Sequence, residues 1–265
     1  MTMFALDVDV LLEALDAMAS QRPVAARIVA VSNDDNTGAK DLAAVLGADL
    51  ALATKVMRLA NSAYFGMSGR VANLQFAVAV VGFSTVGTMA TVALAGIDTA
   101  EVLPAGFWDT STHLAAASAT LGPQFGLRPG DAMCLGLLAE MGAALLHAAD
   151  PPGYDELVAT TEPGASRFAA ELDRYGISAP RLTAEALQQW RFSADMVETL
   201  REVESGPRGA LLRVAYEMTA RLLCPDHREV PVERLCDNRV SEFLVHGRLA
   251  SIRSEVGDLK TALGV

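Results

Sequence analysis

The stretch Gly136-Leu137-Leu138-Ala139-Glu140-Met141-Gly142 places one acidic residue inside an otherwise apolar helical pattern. Apolar residues recur around it at the spacing of one helix face, namely at Cys134, Leu137, Leu138, Met141 and Leu145. This periodicity predicts one helix over 130–149, buried in the core of an all-α protein. We expect the glycines and leucines of the stretch to serve packing.

Glu140 is the residue of this stretch that can do chemistry. Its carboxylate can ligate a metal, act as a base, or form an ion pair with an arginine such as Arg58 or Arg174. An unpaired carboxylate is costly to bury. We therefore expect a glutamate on the helix surface or a structural ion pair.

Composition limits the classes of partner. The chain has 265 residues, of which 51% are hydrophobic, and its net charge is −11. A chain this apolar can bury a sizeable core, and a surface this acidic repels phosphate backbones. We expect a folded protein without a nucleic-acid partner.

The cysteines and the N-terminus bear on localisation. The three cysteines, Cys134, Cys224 and Cys236, are far apart, which favours buried thiols in a reducing compartment over disulfides or zinc. Cys134 lies on an apolar helix face, where its thiol should be inert. Residues 1–9 carry no basic region of the kind that begins a signal peptide. These features predict a cytoplasmic protein.

The run from Val71 to Ile97 carries no charge and is long enough to span a bilayer. Gly82-Phe83-Ser84 interrupts it, as when one helix stops and the next begins. We therefore expect a buried pair of helices and no membrane span.

The chain shows helical periodicity throughout and no segment that alternates strictly at the strand period. Val8, Leu11, Leu12, Leu15 and Met18 indicate a first helix. We expect an N-terminal helical part over 1–100, a second helical part over 101–225, and a partly exposed tail over 226–265 with helices near 231–245 and 249–263.

The histidines do not form a metal site in the sequence. None of the four belongs to a His-Asp or His-x₃-His pair. His147 and Asp150 can face the same way, but a histidine in a last helical turn also complements the helix dipole. His227 lies in a loop flanked by prolines and is expected to be solvated. No Gly-x-Ser-x-Gly or phosphate-binding glycine loop is present.

The segment Leu42–Gly66 resembles the signature of the HDOD domain. The matching positions run from Lys55-Val56 through Arg58-Leu59-Ala60-Asn61-Ser62-Ala63 to Tyr64-Phe65-Gly66. Asn tolerates the left-handed conformation that ends a helix, and Ser can bond nearby backbone in the turn. Further matches extend the resemblance over about residues 10–222.

The resemblance implies a fold related to the HD phosphohydrolases. In that family the opening frame reads Gly-Leu-Leu-His-Asp-Ile-Gly, and the His-Asp pair binds the catalytic metals. Here Ala139 and Glu140 take those positions, and Thr110 stands where HDOD domains show a histidine. The resemblance thus implies an HD-like bundle with an additional N-terminal helical part, three vestigial metal positions, and no metal, cofactor or catalytic residue.

HDOD domains are considered bacterial signalling modules, so the resemblance implies a non-catalytic regulatory protein that contacts an unknown protein partner. Tyr64 and Phe65 are the candidate contact residues, as aromatic side chains suit such surfaces. Two alternatives stay open. A nucleotide or cyclic dinucleotide could bind the vestigial cleft through the candidate arginines Arg58, Arg70 and Arg174, or Glu140 and His147 could support residual phosphohydrolase activity.

Overall fold

The computed structural model describes residues 6, 10–11, 22–34, 36–67, 69–96 and 103–265. Of the residues described, 72% are helical and none is in a strand. The predicted all-α class is therefore confirmed. The helix predicted from Val8 to Met18 falls largely outside the described residues.

The N-terminal helices form a compact group. They are α1 (Pro23–Ser32), α2 (Ala39–Leu46), α3 (Leu50–Ala60), α4 (Leu74–Val81) and α5 (Phe83–Leu94), with a 3₁₀ turn at Ala63–Phe65 between α3 and α4. Asp49 caps α3 by accepting a hydrogen bond from the Leu52 amide, and Asn73 caps α4 through the Phe76 amide. Such caps satisfy backbone donors that the first turn leaves open.

The remaining helices follow from Phe107 onwards. They are α6 (Phe107–Leu121), α7 (Pro129–Ala139), α8 (Met141–Ala149), α9 (Pro151–Thr160), α10 (Ala165–Tyr175), α11 (Ala179–Gln189), α12 (Ala194–Arg201), α13 (Ala210–Leu223), α14 (Val232–Leu235) and α15 (Glu242–Leu263). A 3₁₀ segment, Gly122–Phe125, extends α6.

The uncharged run folds as a bent pair of helices. Gly82 separates α4 from α5 with φ of 87°, a conformation that favours glycine, and the two axes differ by 101°. The inward residues of both helices are buried in the N-terminal core. The predicted helix pair is confirmed over the described residues.

Among the described residues, one further stretch is long and apolar enough to cross a membrane, Pro129–Ala149. Its most apolar window is 89% buried inside the protein. A core helix has this property, and a helix facing lipid does not.

Two hydrophobic clusters share the interior, with α6 and α7 between them. Leu114 and Leu138 belong to the cluster formed with the later helices, whereas Ala115 and Cys134 face the cluster formed by α1–α5. The two helices approach closely at Gly136, where a Cβ atom would lie 2.4 Å from the Leu114 carbonyl oxygen. Gly136 is therefore a packing residue, as expected. The domain boundaries remain a prediction.

The C-terminal segment differs from the expected tail. The short α14 ends at Leu235, and Asp237 and Asn238 follow with φ of 50° and 61°. This left-handed turn precludes a helix over 231–245. Ser241 then caps one long helix, α15, by accepting a hydrogen bond from the Leu244 amide.

This long helix packs against both clusters. Val245 and Ile252 join the cluster of the later helices, and Leu259 and Leu263 join the N-terminal cluster. Two helices do occur in this segment, but their expected bounds were wrong, because the cap at Ser241 and the turn before it were not recognised in the sequence.

Candidate functional site

The helix predicted over 130–149 is broken at Glu140. Ala139 ends α7, Glu140 has φ of −88° and ψ of 0°, and Met141 begins α8. The predicted helix is present as one apolar helical stretch, Pro129–Ala149, but its regular geometry is interrupted at this single residue. The apolar pattern continues on both sides and conceals the interruption. The break directs the Glu140 side chain inward, where it is 2% exposed.

Two interactions of the segment after the break hold it in place. A Cβ atom on Gly142 would lie 2.0 Å from the Ala179 carbonyl oxygen, so α8 and α11 can approach only with glycine there. The Gly142 amide also donates a 2.8 Å hydrogen bond to the Thr183 hydroxyl. Gly142 is thus required by packing, as predicted for this stretch.

The Glu140 carboxylate has two partners from distant helices. The Tyr216 hydroxyl on α13 donates a 2.8 Å hydrogen bond to it, and a guanidinium nitrogen of Arg167 on α10 lies 3.8 Å away. Both partners are buried. The expected ion pair is therefore present, but its arginine is Arg167. Arg58 and Arg174, which were named as candidates, lie elsewhere.

A second buried carboxylate, Glu171, completes the network. It accepts a 2.6 Å hydrogen bond from the Tyr154 hydroxyl and a 2.7 Å hydrogen bond from the Ala179 amide. Glu171 is fully buried. The buried network therefore consists of Glu140, Glu171, Arg167, Tyr154 and Tyr216.

Burial dominates the electrostatics of the buried network. Desolvation raises the pKa of Glu171 to about 8, although hydrogen bonds from Tyr154 and Ala179 oppose it. Desolvation also raises the pKa of Glu140, against the opposing effects of Arg167 and Tyr216. One guanidinium thus faces two carboxylates, and the network favours a bound proton.

His147 and Asp150 lie at the edge of this network and have polar partners outside it. The Asp150 carboxylate caps α9 through the Gly153 amide and binds Arg174 at 2.9 Å. Burial would raise the pKa of Asp150, but the hydrogen bond from Arg174 outweighs it and lowers the pKa. His147 lies 3.2 Å from Asp155, and its ring meets that of Tyr154 edge to face with centroids 6.4 Å apart. The joint use of His147 and Glu140 in catalysis stays a prediction.

The other two vestigial positions place no further metal-ligating atom beside Glu140. Ala139 is fully buried and has no side-chain donor atom. Thr110 is buried in the first turn of α6, and neither of the two polar partners of Glu140 described above is Thr110. The side chains present therefore do not fit the two-metal centre that the HD frame implies, in which several ligands converge on each ion.

Asn61 acts as a clamp across the turn that follows α3. Its side chain accepts a 2.9 Å hydrogen bond from the Val71 amide and donates to the carbonyl groups of Val71 and Met57. Its φ is −90°, so the expected left-handed conformation was wrong. Gly66, with φ of 64°, takes that conformation instead. Ser62 bonds the Leu59 carbonyl, as predicted for a turn serine.

Tyr64 and Phe65 are half-buried and pack edge to face, with ring centroids 5.1 Å apart. Burial raises the pKa of Tyr64. A shallow cavity of about 530 Å³ adjoins both rings and reaches Glu255 and Asp258 on α15. The two rings therefore anchor the turn to the N-terminal cluster and also border an acidic recess.

The three candidate arginines are dispersed. The Arg58 guanidinium donates to the Thr261 carbonyl on α15, Arg174 binds Asp150, and Arg70 is exposed in the turn before α4. They do not form the phosphate clamp that the nucleotide hypothesis requires.

His227 is held between two carboxylates. Its Nδ1 lies 2.5 Å from Glu162 and its Nε2 lies 3.1 Å from Glu217. Burial works to lower the pKa of His227, but the hydrogen bonds to Glu162 and Glu217 outweigh it and raise the pKa. The expectation of a solvated histidine was wrong, because the loop folds back onto α13.

A surface cluster also contains metal-ligating residue types. Glu229, Glu242 and His246 have candidate ligand atoms within 4.8 Å of one another. Arg221 lies 2.8 Å from Glu242 and 3.3 Å from Glu229. The hydrogen bond from Arg221 lowers the pKa of Glu242 to about 2. The positive charge at this cluster therefore comes from Arg221.

Four members of the buried network were not singled out in the sequence, namely Arg167, Tyr154, Glu171 and Tyr216. Their spacing in the sequence carries no signal, because their partners lie on other helices. The signal that could have found them was on α10, where Arg167 and Glu171 occupy the same helix face as Phe168 and Tyr175. Charges on an apolar face indicate a buried polar network.

The comparisons with known proteins agree with the fold. The HDOD domain model matches residues 18–205. No curated protein matches the chain. A Shewanella amazonensis structure with the provisional name phosphohydrolase is 22% identical, with a TM-score of 0.71, and the match covers 96% of this chain and 97% of that one.

Two other solved structures are similar. An HDOD domain protein of unknown function from Geobacter sulfurreducens is 17% identical, with a TM-score of 0.65, over 97% of this chain and 99% of that one. A Marinobacter aquaeolei protein, provisionally named for signal transduction, is 22% identical, with a TM-score of 0.71. The match covers 91% of this chain and 58% of the Marinobacter chain. These likenesses show the fold.

Proposed function

Because the chain belongs to the HDOD family, we propose that it is a bacterial regulatory protein of signal transduction, which acts by contacting another protein and catalyses no reaction. The observation that carries this proposal is the state of Glu140. Its carboxylate is bound by Tyr216 and Arg167 in the place where an HD hydrolase would hold metal ligands.

The chemistry of those side chains supports a non-catalytic role. Ala139 has no ligand atom, and a guanidinium beside Glu140 competes with any cation for the same carboxylate. A hydrolytic two-metal site needs several carboxylate and imidazole ligands on ions about 4 Å apart. The buried network supplies two carboxylates and no imidazole. It serves as an internal ion pair that stabilises the bundle.

We place the partner contact on α3, within the HDOD signature. Leu50, the first residue of α3, is 82% exposed. It borders an open groove of about 410 Å³ that Met57 and Leu74 also line. Large exposed apolar residues beside a groove are typical of protein contacts. Tyr64 and Phe65 are half-buried and line the separate recess beside Glu255.

The first experiment tests catalysis. The purified protein is assayed against phosphomonoesters and phosphodiesters with Mg²⁺ and Mn²⁺, and its metal content is measured. We expect no turnover above the blank and less than about a tenth of an equivalent of transition metal. Metal-dependent turnover that Glu140→Gln abolishes would overturn the non-catalytic part of the proposal.

The second experiment tests the contact. The wild-type protein, Leu50→Asp and Phe243→Asp are used as cross-linking baits in the native host, and the captured proteins are identified by mass spectrometry. Phe243 is the matched control, because it is 91% exposed on a different helix. We expect one enriched partner with wild type and Phe243→Asp and its loss with Leu50→Asp. Retention by Leu50→Asp and loss by Phe243→Asp would place the contact elsewhere.

A further inference from the structure

A cavity that Tyr216 helps to line lies between the start of α10, α13 and the segment after Cys224. Its volume is about 390 Å³. Tyr216 and Glu217 form one wall, and His227 and Leu235 close the side formed by the C-terminal segment. Organic ligands of modest size occupy pockets of about this volume.

The inner surface of the cavity is apolar and rigid. The rings of Phe168 and Tyr216 meet edge to face with centroids 4.8 Å apart, and both residues are buried. Leu172, Val203 and Leu235 continue the surface. Because these side chains belong to helices packed in the core or lie against them, the cavity needs no rearrangement to admit an apolar group.

The rim of the cavity is acidic. Glu162, Glu204 and Glu217 line it, and the basic side chains among its lining residues are Arg213 and His227. Just outside this lining, Arg181 lies 3.7 Å from Glu204, and Arg221 lies 2.8 Å from Glu217. Arg221 is shared with two further carboxylates, those of Glu229 at 3.3 Å and Glu242 at 2.8 Å. Five carboxylates thus face three arginines and His227, which leaves the rim acidic. This charge disfavours phosphates and carboxylates and attracts organic cations.

Arg213 does not offset this preference. Its guanidinium donates hydrogen bonds to four backbone carbonyl groups, those of Leu235, Glu202, Val203 and Gly206. Burial lowers the pKa of Arg213. Arg213 thus links the segment before α13 to the end of α14. Its N–H groups donate to backbone carbonyls, so they are not directed at a ligand.

We propose that this cavity binds an amphipathic organic amine. The apolar body of the amine lies against Phe168, Tyr216 and Leu172, and its ammonium group pairs with the carboxylates of Glu162 and Glu217. The inference is independent of the proposed partner contact, since it concerns a different face of the molecule. Binding of such an amine would then regulate the activity of the protein.

The position of the cavity would make such a ligand structurally effective. Tyr216 lines the cavity and also donates to Glu140. His227 lines it and joins the C-terminal segment to Glu162 and Glu217. A bound amine would therefore contact the HD-like core and the segment that leads to α15 at the same time.

The test compares each amine with a carboxylate that carries a similar apolar group. Binding to the full-length protein is measured by calorimetry with tryptamine, phenethylamine and octylamine, and with indole-3-acetate, phenylacetate and octanoate. We expect at least one amine to saturate a single site and its matched carboxylate to bind at least about tenfold more weakly. If no amine binds, or if each carboxylate binds as well as its amine, the proposal is overturned.

Two variants locate the binding site. Ala169→Trp places a large ring at the cavity wall, and Glu162→Gln removes one rim charge. Ala159→Trp and Glu156→Gln are the controls, on exposed positions of α9. We expect both cavity variants, with native circular dichroism, to weaken amine binding about tenfold or more and both controls to leave it unchanged. Binding that survives both cavity variants would place the amine elsewhere and overturn the assignment.

Discussion

The Tyr216 hydroxyl donates a 2.8 Å hydrogen bond to the Glu140 carboxylate, across 76 residues of chain. This bond ties the break between α7 and α8 to the middle of α13. Together with Arg167, it makes a buried acidic residue compatible with a packed core. The same three residues would have to separate for Glu140 to act as a metal ligand.

Loss of the buried guanidinium should destabilise the protein strongly. Arg167→Met leaves the carboxylate of Glu140 without its cation. Breaking a buried ion pair from one side costs about 3–5 kcal/mol. We expect a loss of that order in urea unfolding followed by circular dichroism.

The control for this variant is Arg228→Ala, which removes an exposed arginine. We expect its unfolding free energy to stay within about 0.5 kcal/mol of wild type. The double variant Glu140→Gln with Arg167→Met should recover part of the loss, because no charge is then left unpaired. Equal stability of Arg167→Met and wild type would show that the ion pair is dispensable.

Stability should fall as pH rises through the range in which Glu171 titrates. Burial raises its pKa to about 8, so the folded protein holds a proton that the unfolded chain has already released. The stabilisation is complete below the unfolded pKa, near 4.5, and is lost as pH rises through about 8. The slope contributed by one group is at most about 1.4 kcal/mol per pH unit.

Glu171→Gln provides the comparison. Its side chain cannot ionise, so the free energy of unfolding should depend less on pH between about 4.5 and 8. His227, whose pKa is also raised, contributes a slope of the same sign and remains in the variant. Parallel pH profiles for the two proteins would be inconsistent with a protonated Glu171.

Gly142→Ala should be among the most damaging small substitutions. Its Cβ atom would lie 2.0 Å from the Ala179 carbonyl oxygen, so α8 and α11 must separate. Overpacking of this kind costs about 1–3 kcal/mol or more. Thermal unfolding should show a clear decrease in Tm.

Gly257→Ala is the matched control for Gly142→Ala, because the glycine has open space around it. Gly257 lies on the exposed side of α15, and a Cβ atom added there would meet no other atom within 4 Å. Alanine in a helix interior is favoured over glycine by about 0.5–1 kcal/mol. We expect a higher Tm for Gly257→Ala, and a decrease in both variants would argue against the packing explanation.

The clamp at Asn61 predicts an order of stability among its variants. Asn61→Ala loses three side-chain hydrogen bonds, whereas Asn61→Asp keeps the acceptor for the Val71 amide. The aspartate, however, faces the Met57 and Val71 carbonyl groups without a donor. Alanine loses the same donor but places no oxygen there, so repulsion between the carboxylate and the two carbonyl oxygens opposes the gain from the retained bond. We expect Asn61→Asp to be no more stable than Asn61→Ala in urea unfolding, and the opposite order would exclude the amide as the essential donor.

The sequence predicted the local parts of this fold well. The described residues are helical as expected, and the break expected at Gly82 is where the chain changes direction. Helical periodicity and glycine are local signals, so a short window contains them. The break at Glu140 was missed, because the same apolar periodicity runs through both α7 and α8 and nothing in the window marks an end.

The site was predicted only in part, and for a related reason. The resemblance identified Ala139 and Glu140, but the partner of Glu140 was assigned to the wrong arginines. Which arginine reaches it depends on the packing of α10 against the break, and one sequence contains no measure of such a distance. The cavity beside Tyr216 was also not foreseen, since its walls come from four separate segments between Glu162 and Leu235.

The long helix α15 contributes Leu259 and Leu263 to the cluster formed by α1–α5. During synthesis, the N-terminal helices leave the ribosome first, but one wall of their core is encoded at the other end of the chain. That core therefore stays incomplete until α15 has been synthesised, and its exposed apolar surface must be shielded meanwhile. Folding of the first core thus depends on residues that emerge about 200 positions after its first helices.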